Sequence, residues 1–86
     1  MSREIKLNHG KVAIVDDSDY AWLSKWDWKA NGGTNTWYAY RSENGKTIPM
    51  HRAILSAPEG RPVDHLNLSG LDNRRCNIRI CGRVFV

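Results

Sequence analysis

The residues with the most chemical potential lie at positions 63–81, VDHLNLSGLDNRRCNIRIC. Asp64 and His65 are adjacent there. A carboxylate is a hard oxygen ligand for a divalent cation such as Mg²⁺. A neutral imidazole, whose ordinary pKa lies close to neutrality, is a base able to take a proton from water. A metal ligand and a water-activating base are the two groups that metal-assisted phosphodiester cleavage requires. On a regular strand neighbouring side chains point to opposite faces. Both can therefore serve one site only at a strand end or a distortion. An Asp-His pair on its own is usually a surface pair, so its surroundings must decide.

The rest of the chain supplies the elements that would position the pair. EIKLNHGKVAIVDD reads as a β-hairpin, residues 4–7 with 11–15, turning at Asn8-His9-Gly10. In DDSDYAWLSKW, Asp17 or Ser18 is suited to cap a short helix, and Asp19 falls in its first turn, where the helix dipole favours negative charge. A three-strand meander follows, with Asn31-Gly32-Gly33 at one turn and a type I′ signal at Glu43-Asn44-Gly45-Lys46 at the other. Pro49 suits a strand end. MHRAILSAP reads as a second short helix that ends near Pro58, and EGRP connects it to the final segment. Trp22, Trp26, Trp28 and Trp37 fall at core-facing spacings and are expected to pack inside rather than stack on a ligand. His51, beside a helix start, reads as a local hydrogen-bonding group rather than a catalyst. The chain has no internal repeat and no low-complexity tract.

With 86 residues, the chain fits one domain, or one domain with a small appendage. Its net charge of +4 is unevenly spread. Through Gly45 six basic residues balance six acidic ones, whereas from Lys46 onward seven basic residues face only Glu59, Asp64 and Asp72. That asymmetry points to a polyanionic partner, although a basic run is often only a solvated face. Cys76 and Cys81 lack zinc-ligand spacing and would lie on or beside one strand, which argues against both zinc and a disulfide. Reduced thiols, no apolar stretch long enough for a membrane span and no signal-peptide core point to the cytoplasm and to no membrane partner.

The downstream segment resembles the first two strands of the HNH endonuclease motif, a ββα-metal hairpin. The resemblance is carried by Asp64, His65, Asn67, the GLDNRR loop and the NIRI strand. Upstream, GKVAIVDDSDYAWLSKWDWKA, YAYRS and MHRAIL look like the N-terminal part of phage and intron-encoded HNH proteins, a part often related to the AP2-type DNA-binding fold. The resemblance implies an α+β fold: a small antiparallel sheet with one or two short helices over residues 1–60, and an HNH-type hairpin over residues 61–86 packed on it as a single compact unit. It implies that His65 is the general base, that Asp64 and His65 belong to the metal site, and that Asn77 braces the hairpin loop and orients the histidine. Asp72 and Asn73 read as turn residues. Arg52, Arg74, Arg75, Arg79 and Arg83 are expected to face phosphates, whose oxygens a guanidinium fork binds in pairs.

The sequence departs from the family pattern after the second strand. By spacing, the His or Asn on the family's following helix should fall near position 86, where this sequence has Val86. CGRVFV has no helix pattern, because Gly82 breaks it and Val84, Phe85 and Val86 favour a strand. The hairpin is thus expected to lack its C-terminal helix, like a truncated nuclease. Three functions follow from the resemblance and its departure. The first is a phage-type, HNH-derived protein that binds DNA with little or no cleavage. The second is a metal-dependent nickase or endonuclease, using Mg²⁺ or another divalent ion, whose site a partner chain such as a homodimer mate completes. The third is a phage-encoded inhibitor that docks on a host nuclease or CRISPR-type defence complex. If phage-encoded, the protein would act in the cytoplasm of a bacterial host.

Overall fold

The computed structural model describes residues 1–81. The expectations placed on Gly82, Arg83, Val84, Phe85 and Val86 lie outside the described residues. The fold is α+β, built from short antiparallel strands and two helices. In chain order these are β1 (Ser2–Lys6), β2 (Val12–Asp16), α1 (Asp17–Leu23), β3 (Lys29–Gly32), β4 (Trp37–Glu43), β5 (Lys46–Pro49), α2 (Met50–Leu55), β6 (Val63–His65), a 3₁₀ turn (Arg75–Asn77) and β7 (Ile78–Ile80).

β1 and β2 form the first hairpin, with Ile5 opposite Ala13 and Arg3 opposite Val15. Alternation turns Ile5, Ala13 and Val15 inward, and all three are buried. His9 and Gly10 both take positive φ, 57° and 69°, as a tight hairpin turn demands. Asn8 Oδ1 then accepts a hydrogen bond from the Ala30 backbone N at 2.7 Å, which fastens the turn to β3.

α1 differs from expectation at its start. Asp16 occupies the cap position and makes no side-chain cap hydrogen bond, while Asp17 and Ser18 already lie inside or at the first turn. The Asp16 carboxylate instead accepts the Arg75 backbone N at 3.1 Å. A long-range contact has taken the place of a local cap.

β3, β4 and β5 form the meander, with Ala30 opposite Ala39 and Tyr40 opposite Pro49. Asn44 and Gly45 take φ of 52° and 80°, the left-handed pair that a type I′ turn requires. One face carries Ala30 and Ala39 into the core, and the other carries Asn31, Tyr38, Tyr40, Thr47 and Pro49. In α2, Met50 and Ile54 stand four residues apart and are buried on the same side.

Among the tryptophans only Trp28 belongs fully to the core, at 2% exposure, with its indole N–H donating to the Leu23 carbonyl at 2.7 Å. Trp22 and Trp37 are half-buried. Trp26 is 39% exposed, with the Arg41 guanidinium 4.2 Å from its ring centroid. The expectation of four core tryptophans therefore fails for Trp26. Trp26 and Trp28 both lie between α1 and β3, and there Trp28 turns into the core while Trp26 packs against Arg41.

β6 and β7 pair antiparallel, with Val63 opposite Ile80, Asp64 opposite Arg79 and His65 opposite Ile78. Ile78 joins the same core as Ile5, Val15, Leu23, Trp28 and Met50, so this hairpin and the meander share one interior. The loop at 66–77 is pinned from outside as well. Its residues 71–73 run beside β2 in a parallel bridge, with Ile14 N donating to Leu71 O at 2.8 Å and Asn73 N donating to Ile14 O at 2.7 Å. Gly70 N donates to Thr36 Oγ1 at 3.0 Å. A Cβ at Gly70 would collide with the Trp37 carbonyl and stand 2.7 Å from the Tyr38 ring. Gly70→Ala should therefore lower stability by about 1–3 kcal/mol, the usual cost of forcing an extra methyl into a packed contact. Urea unfolding of the two proteins checks this, and an unchanged midpoint would contradict the close approach of loop and sheet.

Candidate nucleic-acid interface

Asp64 and His65 stand at the end of β6, and His65 is its last residue. The strand ends there because the chain turns. Leu68 N donates to His65 O at 3.0 Å, and Leu68 takes φ of 67°. The His65 ring is fixed by Asn73, whose Oδ1 lies 2.7 Å from Nε2. That contact assigns the ring proton to Nε2 and leaves Nδ1 with the lone pair a base needs.

Asn73 is fully buried, and its Nδ2 has no hydrogen-bond partner. Asn77, also buried, braces the loop without touching the histidine ring by a hydrogen bond. Its Nδ2 donates to Asp72 O at 2.8 Å and to Asn67 Oδ1 at 2.9 Å, and its Oδ1 accepts Asn67 N at 3.0 Å. The two jobs expected of Asn77 are thus divided, with bracing left to Asn77 and orientation of the ring given to Asn73. The turn-residue reading of Asn73 missed this. A turn residue and a buried ligand for a ring nitrogen look alike in sequence.

Asp72 is the centre of the loop. Its carboxylate receives Arg74 Nε and Nη2 at 2.7 Å each and Asn67 Nδ2 at 2.8 Å. The Arg74 contact, followed by that of Asn67, holds its carboxyl below the usual range despite the opposing cost of burial. Arg75 makes the matching contact on α1. It donates through Nε and Nη2, both at 2.9 Å, to the Asp19 carboxylate, whose side chain is only 4% exposed. Trp22 Nε1 donates to the same carboxylate at 3.0 Å. Arg52 donates to the Arg61 and Pro58 carbonyls and so clamps the connector behind α2.

One cleft of about 880 Å³ gathers the remaining candidates. It runs from the open face of the meander, with Asn31, Tyr38, Tyr40, Thr47 and Pro49, to the β6–β7 hairpin, with Asp64, His65 and Arg79. Arg52, Arg74, Arg75 and Asn77 do not line it. Arg79 is the only lysine or arginine that does, among the described residues. Its guanidinium lies 3.9 Å from the Asp64 carboxylate, with the two side chains 63% and 52% exposed.

His51, expected to be a local hydrogen-bonding group, lines the same cleft. Its ring centroid is 4.7 Å from that of His65, and Tyr38 completes a triangle at 6.0 Å from His51 and 5.9 Å from His65. Burial, together with the His65 and Arg52 charges, lowers the His51 pKa to about 4, so this imidazole is neutral at physiological pH. Its Nδ1 is buried and unpartnered, which rules out the local hydrogen-bonding role for that atom.

Asp64 and the free Nδ1 of His65 are the donors a divalent ion would use. Among the described residues no group of three His, Cys, Asp or Glu side chains is placed to hold a metal ion. The Asp64 carboxylate also faces the Arg79 guanidinium at 3.9 Å. Cys76 and Cys81 are free thiols. No helix among the described residues is long and apolar enough to cross a membrane.

No family model, curated protein or solved structure matches this chain.

The depressed Asp19 pKa gives the Arg75 contact a pH signature. Arg75 is its main cause, with burial opposing and Trp22 assisting. A carboxyl whose folded pKa lies below its ordinary 3.8 contributes stability above that value and loses it as pH falls through the folded pKa. Urea midpoints followed from about pH 5 down to about pH 2 should fall more steeply in the native protein than in Asp19→Asn. Parallel curves would show that Asp19 carries no such linkage.

Proposed function

We propose that this chain is an HNH-type nucleic-acid-binding protein whose hairpin engages the phosphodiester backbone with little or no cleavage. The observation that carries this reading is the arrangement at the end of β6. Asp64 and His65 are adjacent at a strand terminus, the histidine Nε2 is held by Asn73, and the loop is braced by Asn77 and Asp72. One ring nitrogen is tethered and the other keeps the lone pair that a general base needs. The family resemblance supplies the nucleic-acid substrate, and the excess of basic residues after Lys46 supports it.

Weak cleavage follows from the donor set among the described residues. Mg²⁺ dehydrates reluctantly and is bound through carboxylates in near-octahedral geometry. Asp64 offers one exposed carboxylate, with the Arg79 guanidinium 3.9 Å from it. The arginines support binding unequally. Arg79 is exposed at the cleft and suits a phosphate directly. Arg74 and Arg75 each commit two donors to a carboxylate, so their attraction for phosphate is offset by Asp72 and Asp19.

DNA binding should weaken steeply with salt through counterion release, by a factor set by the few phosphates contacted. Affinity that is flat from low to high salt would remove the nucleic-acid reading. In a plasmid-nicking assay with Mg²⁺ or Mn²⁺, the native protein and His65→Ala should differ little. Rapid nicking that His65→Ala abolishes would instead establish a working nuclease.

A further inference from the structure

We infer that the cleft takes an unpaired nucleotide strand rather than a duplex, with its bases on the open face of the meander. This inference rests on the nucleic-acid reading above and names the substrate class for that same site. The lining is the first reason. A groove that only tracks phosphates needs rows of lysine and arginine, whereas Arg79 alone supplies them here among the described residues. What the cleft offers is two tyrosine rings, Tyr38 and Tyr40, flanked by the Asn31 amide and the Thr47 hydroxyl. Aromatic faces stack on bases of any sequence, and amide and hydroxyl groups bond their edges once they are unpaired.

Spacing is the second reason. Tyr38 and Tyr40 are two residues apart on β4, so they share a face and stand ~7 Å apart along the strand. Successive bases in a duplex rise only about 3.4 Å. Two neighbouring bases can occupy both rings only if the strand is unstacked and extended. The cleft's 880 Å³ also lies within the roughly 300–1,000 Å³ of pockets that enclose small ligands, which suits individual bases and not a double helix.

Preorganisation is the third reason. Tyr38 is 38% exposed, yet its ring is flanked by two glycines. A Cβ at Gly33 would lie 3.1 Å from the ring, and one at Gly70 would lie 2.7 Å from it. A ring held this closely loses little further freedom when a base stacks on it. The strand's phosphates then pass Arg79 and the Asp64–His65 end of β6, which puts the base-binding face and the backbone site on one path.

The test measures fluorescence anisotropy of a short labelled DNA strand, its duplex form and an abasic version of the strand, all in EDTA so that cleavage cannot intrude. The native protein should bind the strand at least about tenfold more tightly than the duplex, and abasic substitution should cost roughly 5- to 100-fold, the range one or more base stacks are worth. Tyr38→Leu should weaken strand binding to a similar extent, whereas Tyr38→Phe should retain it. The abasic comparison uses only the native protein, so it decides the matter even if Tyr38→Leu fails to fold. Duplex bound as tightly as strand, with no abasic penalty, would overturn this inference and leave the nucleic-acid reading standing. Binding to neither would overturn both.

Discussion

Residues 71–73 run beside Ile14 of β2, exchanging two short backbone hydrogen bonds with it, and the site is built on that contact. The bridge fixes Asp72 and Asn73 at a depth where the Asp72 carboxylate and the Asn73 Oδ1 need partners within the protein. Burying a polar group without a partner costs on the order of 1–3 kcal/mol, so the loop closes around them. Asp72 collects Arg74 and Asn67, its carbonyl collects Asn77, and Asn73 is left facing His65. A hairpin of two three-residue strands has little stability alone. It holds its shape here because its loop is fastened to β2 by backbone, to α1 through Asp16 and Asp19, and to the meander through Gly70 and Thr36.

The same fastening explains why the arginines do not form a simple basic patch. Arg75 and Asp19 are 56 residues apart in sequence, and their bidentate contact is as much a tie between α1 and the loop as a charge on the surface. Breaking it would leave a nearly buried carboxylate without a countercharge, which is the costly half of such a contact. Arg52 is likewise occupied with carbonyls. The positive charge counted along the sequence is therefore spread over structural duties, and Arg79 is the arginine the described structure leaves at the cleft.

What could be read from the sequence follows from range. Both tight turns of the hairpins are set by residues next to each other, Asn8-His9-Gly10 and Asn44-Gly45, and their positive φ values follow from local sterics. The second helix is equally local, with Met50 and Ile54 on one face and Pro49 before it. Asp64, His65 and Asn77 stood out because their types and spacing form a recognisable set. The contacts that failed to stand out are all long-range. Asp16 gave up its cap for Arg75, and Asp19 in a first turn looked like a dipole partner rather than a buried ion pair. Asn73 looked like a turn residue, and His51 lies fourteen positions before the histidine it packs against. Nothing in the periodicity of a short chain marks which asparagine will be carried inside.

The site depends on the loop holding His65 with Nε2 protonated against Asn73 and Nδ1 free. Long-range ¹H–¹⁵N correlation of the histidine rings tests it directly at about pH 8, where an ordinary imidazole is neutral. The structure predicts a single Nε2–H tautomer for His65 in the native protein and an averaged pattern in Asn73→Ala. A His65 ring that already averages between tautomers in the native protein would contradict it.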